Sequence, residues 1–292
     1  MAAASHSFKR VVLGLQPQTP DRMMRLAVEL AGLLELDLLG LFLEETGLRD
    51  LASLPFAREF RPLGGGWHPI DLDRLSHDME VAARTTERMF AAAAKCLAAR
   101  SHFAIVRGST AETIASISQT GDIIMIVEPV TAAERATEQF SWLIEAAFRS
   151  AGAVMLVPSR VARTRGPVVA IASAPDDPCV ATAAAIATAA GEELVVIAAY
   201  ESSSDDLPIR KLAAGAALTI KHIAEAKIPP SDPSALSRAL NELKERLVVM
   251  TRDVRKRDLA LQMAAARHVP ILVIEPLGRE DGGAAPDRQI AR

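Results

Sequence analysis

The sequence predicts an α/β fold made of two tandem halves, each a five-stranded, mostly parallel sheet packed between two layers of helices. Three observations predict it. Short apolar runs alternate with longer amphipathic segments, which is typical of a parallel sheet with helices on both faces. The alternation restarts near residue 166, and the two halves begin and end with similar sequences.

The first half contains five short apolar runs that predict buried strands, and the segments between them have apolar residues at helical spacing. The predicted strands are 11–15, 38–43, 103–106, 123–127 and 154–157, and the predicted helices are 21–35, 73–99, 110–119 and 141–150. Residues 46–72 contain scattered prolines and three consecutive glycines. We expect them to form one long irregular loop, and loops of this length are usually functional or disordered.

The second half repeats the pattern over a shorter length. The predicted strands are 168–172, 194–199, 218–224, 247–250 and 271–274, and the predicted helices are 177–190, 208–217, 234–244 and 254–268. The last strands of the two halves both end in proline, within residues 153–158 and 269–276. This similarity indicates an internal duplication and not one large sheet.

The chain therefore divides into two predicted domains. The first covers residues 8–159 and the shorter second domain covers 166–277, with a polar linker between them. Residues 278–292 are rich in Gly, Asp and Arg, and this composition predicts a disordered tail.

Composition and charge exclude several classes of protein. The chain is 50% hydrophobic, 24% charged and 4% aromatic, with a net charge of −3, which indicates an aliphatic globular core and disfavours a nucleic-acid-binding face. Cys96 and Cys179 lack metal or redox spacing, so we expect two small buried hydrophobes in a reducing compartment. The most apolar stretch, 26–43, carries three acidic residues, so no membrane helix or leader is predicted. We expect a cytoplasmic protein.

No catalytic or metal-binding pattern is present in the sequence. The six histidines show no metal-ligand spacing, and neither a G-x-S-x-G elbow nor a G-x-G-x-x-G turn follows a predicted strand. The sequence therefore predicts no metal site and no catalytic residue.

Two segments of the first half resemble the universal stress protein family. They are Phe103-Ala-Ile-Val-Arg107-Gly108, which precedes a predicted helix, and Asp122-Ile-Ile-Met-Ile-Val127. The run Leu54-Pro-Phe-Ala-Arg58-Glu59 is similar to a subset of the same family. The resemblance covers about residues 10–158 and 167–276, as in a tandem member. It implies Rossmann-like α/β/α sandwich domains of the adenine nucleotide alpha hydrolase type.

The resemblance also implies where a nucleotide would bind. ATP-binding members carry a G-x2-G-x9-G-[ST] loop whose main-chain N–H groups surround the phosphates. In this chain the three glycine positions fall on Glu128, Thr131 and Ser141, the Ser/Thr position on Trp142, and the adenine-side Asp on Gln16. The second half has no room for the loop between Met250 and Val254, and its adenine-side Asp position falls near Ser173. We therefore expect no ATP and no other cofactor.

Two groups of residues are candidates for an anion or partner site. Arg252, Arg255, Lys256 and Arg257 follow the predicted fourth strand of the second half, and Arg107 follows the third strand of the first; ligands bind at such strand ends in open α/β sheets. A solvated helix face for the cluster and a salt bridge for Arg107 are the favoured alternatives.

Trp67 follows three glycines and could anchor a ligand or partner. The favoured alternative is a packed loop in which the Trp67 side chain covers the sheet edge.

The leading functional prediction is a non-enzymatic regulatory or stress-response binding protein, which the resemblance implies. The alternatives are a diverged nucleotide- or metabolite-binding enzyme of the same fold and an interaction scaffold that works through the long loop. We expect a protein partner or self-association, and neither nucleic acid nor membrane. The resemblance further implies that the last strands of the two halves pair as an intramolecular pseudo-dimer, and it leaves a homodimer open.

Overall fold

The computed structural model describes residues 8–16, 19–44, 46–61, 66–97, 100–108, 110–128, 137–198, 220–223, 240, 243–252 and 259–276, and the structural statements below concern these residues. They form twelve strands and seven helices in an alternating order. The predicted α/β class is confirmed.

The first half contributes seven strands, of which five join the main sheet and two form a separate hairpin. The strands are β1 (Arg10–Leu15), β2 (Asp37–Glu44), β3 (Arg58–Arg61), β4 (Gly66–Pro69), β5 (Ser101–Arg107), β6 (Asp122–Val127) and β7 (Ala153–Val157). β1, β2, β6 and β7 are apolar and almost fully buried, as expected for strands covered by helices on both faces.

Five helices connect these strands. They are α1 (Asp21–Leu33), α2 (Thr46–Ser53), α3 (Leu72–Ala94), α4 (Thr110–Ile117) and α5 (Glu138–Ser150). The longest, α3, is capped at its start by Asp71, whose carboxylate accepts hydrogen bonds from the N–H groups of Asp73 and Arg74. The side chain of Thr137 caps α5 in the same way by accepting from the N–H of Phe140, so local side chains set both helix starts.

The second half contains β8 (Val168–Ala172), α6 (Pro178–Ala190), β9 (Leu194–Ala198), β10 (Ile220–Ile223), β11 (Leu247–Thr251), α7 (Leu259–Arg267) and β12 (Ile271–Ile274). Asp177 caps α6 and Pro178 occupies its first turn. Gly191 ends this helix with a φ of 64°, a left-handed conformation in which glycine avoids the Cβ clash.

Ten strands form one sheet in the order β10-β9-β8-β11-β12-β7-β6-β1-β2-β5. Numbered from one to five within each half, both sets of strands have the order 3-2-1-4-5. All neighbours are parallel except β12 and β7.

The two halves meet where β7 pairs with β12 in antiparallel register, from Ala153 opposite Ile274 to Leu156 opposite Ile271. The N–H of Glu275 extends this ladder by donating to the carbonyl of Gly152, 2.9 Å away. We expected an internal duplication and not one large sheet. The structure instead joins two five-stranded sheets, edge to edge, into one continuous sheet.

Helices cover both faces of this sheet, and each face carries one apolar cluster that runs through both halves. Residues of α1, α3 and α6 pack on one face, and residues of α4, α5 and α7 pack on the other. The molecule is therefore a three-layer sandwich.

The prediction of an irregular loop over residues 46–72 is wrong for the described part of that segment. It contains α2 and the antiparallel hairpin β3–β4. These elements have only four to eight residues each, which is too short for a periodic pattern to be recognised.

Several predictions lie outside the described residues. They are the helix over 208–217, most of the helix over 234–244, the start of the helix over 254–268, and the tail over 278–292. Among the described residues, no helix is long and apolar enough to cross a membrane.

Candidate functional site

The strand order gives each half one topological switch point, here called its crevice, where an open α/β sheet would bind a ligand. Such sites lie at the carboxyl ends of the strands, where the chain connections leave in opposite directions. For the order 3-2-1-4-5 this point lies between β1 and β6 in the first half and between β8 and β11 in the second. Because the halves are antiparallel at β7 and β12, the carboxyl ends of their strands, and with them the two crevices, lie at opposite ends of the sheet along the strand direction.

The second-half crevice is spanned by the carboxylate of Asp177. Its Oδ2 accepts hydrogen bonds from the N–H of Ser173 at 2.8 Å and from the Ser173 hydroxyl at 2.7 Å. Its Oδ1 accepts from the N–H of Cys179 at 3.0 Å and from the hydroxyl of Thr251. Ser173 follows β8 and Thr251 ends β11, so Asp177 links the two strands that flank the crevice.

This network keeps Asp177 ionised and uses its whole acceptor capacity. Burial raises the pKa of Asp177, but the hydrogen bonds from Thr251, Ser173 and Cys179 together lower it further, so the net shift is below the ordinary value. A carboxylate has about four acceptor positions, and the four bonds fill them. The crevice thus holds a fixed negative charge with no acceptor position left for a ligand.

The thiol of Cys179 lies inside the same network. It is fully buried, and burial together with the charge of Asp177 raises its pKa well above the ordinary value. Because the thiolate is the reactive form, these surroundings disfavour reactivity, and the predicted burial of Cys179 is confirmed. Cys96, by contrast, is exposed, so the prediction of burial is wrong for that residue.

Two buried acidic residues lie at the carboxyl ends of the first-half strands. Glu128 follows β6 and is only 3% exposed, and its N–H donates to the carbonyl of Val157 at 2.8 Å. Gln16 follows β1 and is exposed. At the end of β2, the buried Glu44 accepts a hydrogen bond from the guanidinium of Arg107 at 2.7 Å, so Arg107 makes the salt bridge that the sequence analysis favoured.

The helix α5 includes two of the degenerate loop positions. It begins at Glu138, so Ser141 and Trp142 lie in its first two turns and not ahead of it. The N–H of Ser141 donates to the carbonyl of Thr137 at 3.2 Å and is therefore engaged within the helix. The indole of Trp142 is 61% exposed. Thr131 lies outside the described residues.

Arg252 is neither an open anion site nor part of a solvated helix face. Its guanidinium donates to the carbonyl of Phe148 at 2.8 Å and to the carboxylate of Glu275, and it lies 4.8 Å from the centre of the Phe148 ring. The Arg252 side chain is only 18% exposed. It therefore fastens the end of β11 to α5 of the other half. Arg255 and Arg257 lie outside the described part of the chain.

Trp67 lies on the hairpin β3–β4, and its side chain is 64% exposed. It faces Phe60 across the hairpin, with the ring centres 5.5 Å apart, and Phe60 is itself 57% exposed. The expectation that Trp67 packs over the sheet edge is wrong. Side chains alternate between the faces of a strand, so Arg58 and Pro69 share this outer side, and both are exposed; we call Arg58, Phe60, Trp67 and Pro69 the hairpin face.

The opposite side of the hairpin is polar. Glu59 and His68 lie directly across from each other and are partly buried. Glu59 forms an ion pair with Arg74 in the first turn of α3. The hairpin thus turns its polar side toward the protein and its aromatic side toward solvent, the reverse of the usual pattern for a sheet with one buried face.

The sequence analysis missed the role of Asp177. The pair Asp177-Pro178 is a recognisable helix start, but the contact with Thr251 joins residues 74 positions apart and has no local signal. Among the described residues, no group of three or more His, Cys, Asp or Glu side chains could hold a metal ion.

Comparisons with known proteins identify the fold. No family profile matches the sequence, and a search of curated proteins finds no match. Among solved structures, a universal stress protein of Archaeoglobus fulgidus is similar at 13% identity, with a TM-score of 0.64, over 93% of this chain and 98% of that chain. A Pseudomonas aeruginosa protein described as a candidate universal stress protein is similar at 15% identity, with a TM-score of 0.53, over 93% and 94%.

A functionally unknown protein of Pseudomonas aeruginosa is similar at 15% identity, with a TM-score of 0.52, over 93% of this chain and 94% of that chain. At identities this low the similarity establishes the fold alone. The chain has the fold of universal stress proteins across both halves, so the resemblance found in the sequence is confirmed at the level of the fold.

Proposed function

We propose that this chain is a universal-stress-protein-like regulatory protein that acts by binding a protein partner, without catalysis and without ATP. The fold shared with universal stress proteins supports a role in stress response. The observation that carries the rest is the saturated carboxylate of Asp177 in the second-half crevice. A triphosphate placed there would meet a buried negative charge, which like-charge repulsion opposes.

The first-half crevice supports the same proposal. Glu128 brings a second buried carboxylate to the end of β6, where the family's first loop glycine would let main-chain N–H groups approach a phosphate. The N–H of Ser141 is already bonded within α5. The proposal is therefore that an acid and helix hydrogen bonds stand where the fold family supplies phosphate-binding groups.

Isothermal titration with Mg-ATP tests this proposal. We expect no saturable heat up to millimolar nucleotide, and no release of phosphate over hours. A universal stress protein that retains the glycine loop serves as the positive control. Saturable binding in the micromolar range would contradict the ATP-free part of the proposal, and turnover would contradict the non-enzymatic part.

We also propose that the two halves act as an intramolecular pseudo-dimer. The shared strand order 3-2-1-4-5 and the antiparallel pairing of β7 with β12 support this. Each last strand covers the edge of the other, and unpaired sheet edges are otherwise exposed to aggregation.

The hairpin face is the binding surface we propose for the protein partner. It exposes two aromatic rings, and its one charged group among the described residues is the cation Arg58. Charge complementarity therefore favours a partner segment that carries acidic and apolar side chains.

The substitution Trp67→Ser tests the hairpin face in quantitative affinity purification. We expect it to remove partner recovery while the melting temperature stays unchanged, because the side chain is already 64% exposed. Val81→Ser on α3 is the matched control, since Val81 is 49% exposed and lies away from the hairpin strands. Equal recovery with both variants would contradict the assignment.

A further inference from the structure

The edge strand β5 is an unprotected end of the ten-stranded sheet. It is last in the strand order and pairs with β2 along all seven of its residues, without a bulge. Natural proteins usually protect such edges with proline, lysine, a bulge or a very short strand. β5 has no proline or lysine in the sequence Ser-His-Phe-Ala-Ile-Val-Arg.

Two hydrogen bonds at the ends of the ladder fix which main-chain groups of β5 point outward. The N–H of Leu38 donates to the carbonyl of Arg100 at 2.9 Å, and the N–H of Gly108 donates to the carbonyl of Glu44 at 3.2 Å. In a parallel ladder, alternate residues direct both main-chain groups to the same neighbour. Even-numbered residues of β5 therefore bond to β2, and odd-numbered residues direct their N–H and C=O groups away from it.

The outward residues are Ser101, Phe103, Ile105 and Arg107. Among the described residues, no main-chain group bonds to their N–H and C=O groups, because no strand follows β5 in the sheet. Four donors and four acceptors thus lie in a row along the edge. This row is symmetric about Ala104, the central residue of the strand.

We propose that β5 pairs antiparallel with β5 of a second copy of this chain, about a twofold axis at Ala104. In this register Phe103 faces Ile105 of the partner subunit, and Ser101 faces Arg107 of the partner subunit. Antiparallel strands exchange two hydrogen bonds at alternate opposed pairs, so every outward donor and acceptor on both copies has a partner. The inference does not depend on the proposed function, because it uses neither Asp177, nor Glu128, nor the hairpin face.

The side chains fit the same register. Ile105 is 49% exposed and lies on the same face of the strand as Phe103, whose ring packs 5.8 Å from that of Phe90. Facing Phe103 of the partner subunit would cover the exposed isoleucine, and aromatic and β-branched residues make favourable cross-strand pairs. On the twofold axis Ala104 faces Ala104 of the partner subunit in a closely spaced pair, where a small side chain fits. Arg107 does not face Arg107 of the partner subunit, so like charges are not opposed.

Sedimentation equilibrium of the full chain at micromolar concentration tests the proposal. We expect the wild type to sediment at twice the monomer mass. Ile105→Lys should weaken the dimer by at least about tenfold, because it buries a charge opposite Phe103. Val81→Lys is the matched control, since Val81 is equally exposed at 49% on α3, and we expect it to remain dimeric.

Hydrogen exchange of the wild type gives a readout that needs no variant. The amides of Phe103 and Ile105 should exchange more slowly as protein concentration rises through the dimerisation range. A wild type that is monomeric, a dimer that survives Ile105→Lys, or edge amides that are equally protected at all concentrations would each overturn the proposal. The last result would mean that the chain covers its own edge.

Discussion

Replacing Arg252 with methionine tests whether this residue fastens the two halves together. The guanidinium donates to Glu275 and to the carbonyl of Phe148, and it lies 4.8 Å from the Phe148 ring. Methionine keeps much of the apolar contact but removes both hydrogen bonds and the charge. Glu275 is then left with a carboxylate only 20% exposed, with no other cation paired to it among the described residues.

The magnitude follows from these contacts. A hydrogen bond to a charged group contributes about 1.5–3 kcal/mol, and a partly desolvated cation–π contact contributes about 1 kcal/mol. Since such terms are not additive, we expect Arg252→Met to lower the free energy of unfolding by about 2–4 kcal/mol. A solvated arginine, by comparison, would cost about 0.5 kcal/mol or less.

Chemical denaturation followed by circular dichroism measures this difference. Arg149→Met is the matched control, because Arg149 is 74% exposed and, among the described residues, pairs with Glu145 one helical turn away. A double-mutant cycle with Glu275→Gln isolates the ion pair, for which we expect about 1 kcal/mol of coupling or more. If Arg252→Met costs no more than Arg149→Met, the residue does not fasten the halves and the reasoning fails.

Two further predictions concern single positions. Asp177→Asn should destabilise the fold by about 2 kcal/mol at neutral pH. Because the pKa of Asp177 is lowered in the folded state, the advantage of the wild type is present above the unfolded pKa of about 3.9 and is lost as the pH falls through the lower folded pKa. The melting temperatures of the two proteins should therefore converge in acid, and a constant difference would contradict the linkage. Gly152→Ala would place a Cβ 2.1 Å from the carbonyl oxygen of Thr120 and should lower the free energy of unfolding by about 1–3 kcal/mol. Gly14→Ala is the control, since its Cβ would have nothing within 4 Å, and it should leave the melting temperature unchanged. Equal effects of the two substitutions would refute the packing at Gly152.

The sequence predicts those elements whose own composition decides their conformation. The strands over 168–172 and 271–274 have the predicted bounds, because an uninterrupted apolar run can only be buried. The helix Pro178–Ala190 lies within the predicted range of 177–190, and the structure adds that Asp177 and Pro178 form its start. Helix ends were less accurate: the structure ends α3 at Ala94 and not at 99.

The contacts that give residues their roles are long-range and could not be predicted from local patterns. Arg252 lies in a run of charges that favours a solvated face, but its bond to Phe148 joins residues 104 positions apart. Trp67 likewise was expected to pack over the sheet edge, because the segment that contains it was predicted to be a loop. In the structure the aromatic side of the hairpin faces solvent, because Glu59 and its ion pair with Arg74 occupy the inner side.

The antiparallel joint between β7 and β12 decides which surfaces remain available for function. It places the two crevices at opposite ends of the sheet along the strand direction, so they cannot combine into one binding site. On the proposal that no nucleotide binds, Asp177 occupies the second crevice and Glu128 brings a buried carboxylate to the first. The same joint pairs the two last strands with each other, so neither is left as an edge of the sheet. Association through the described residues must therefore use other surfaces, and the hairpin face and the edge of β5 both belong to the first half.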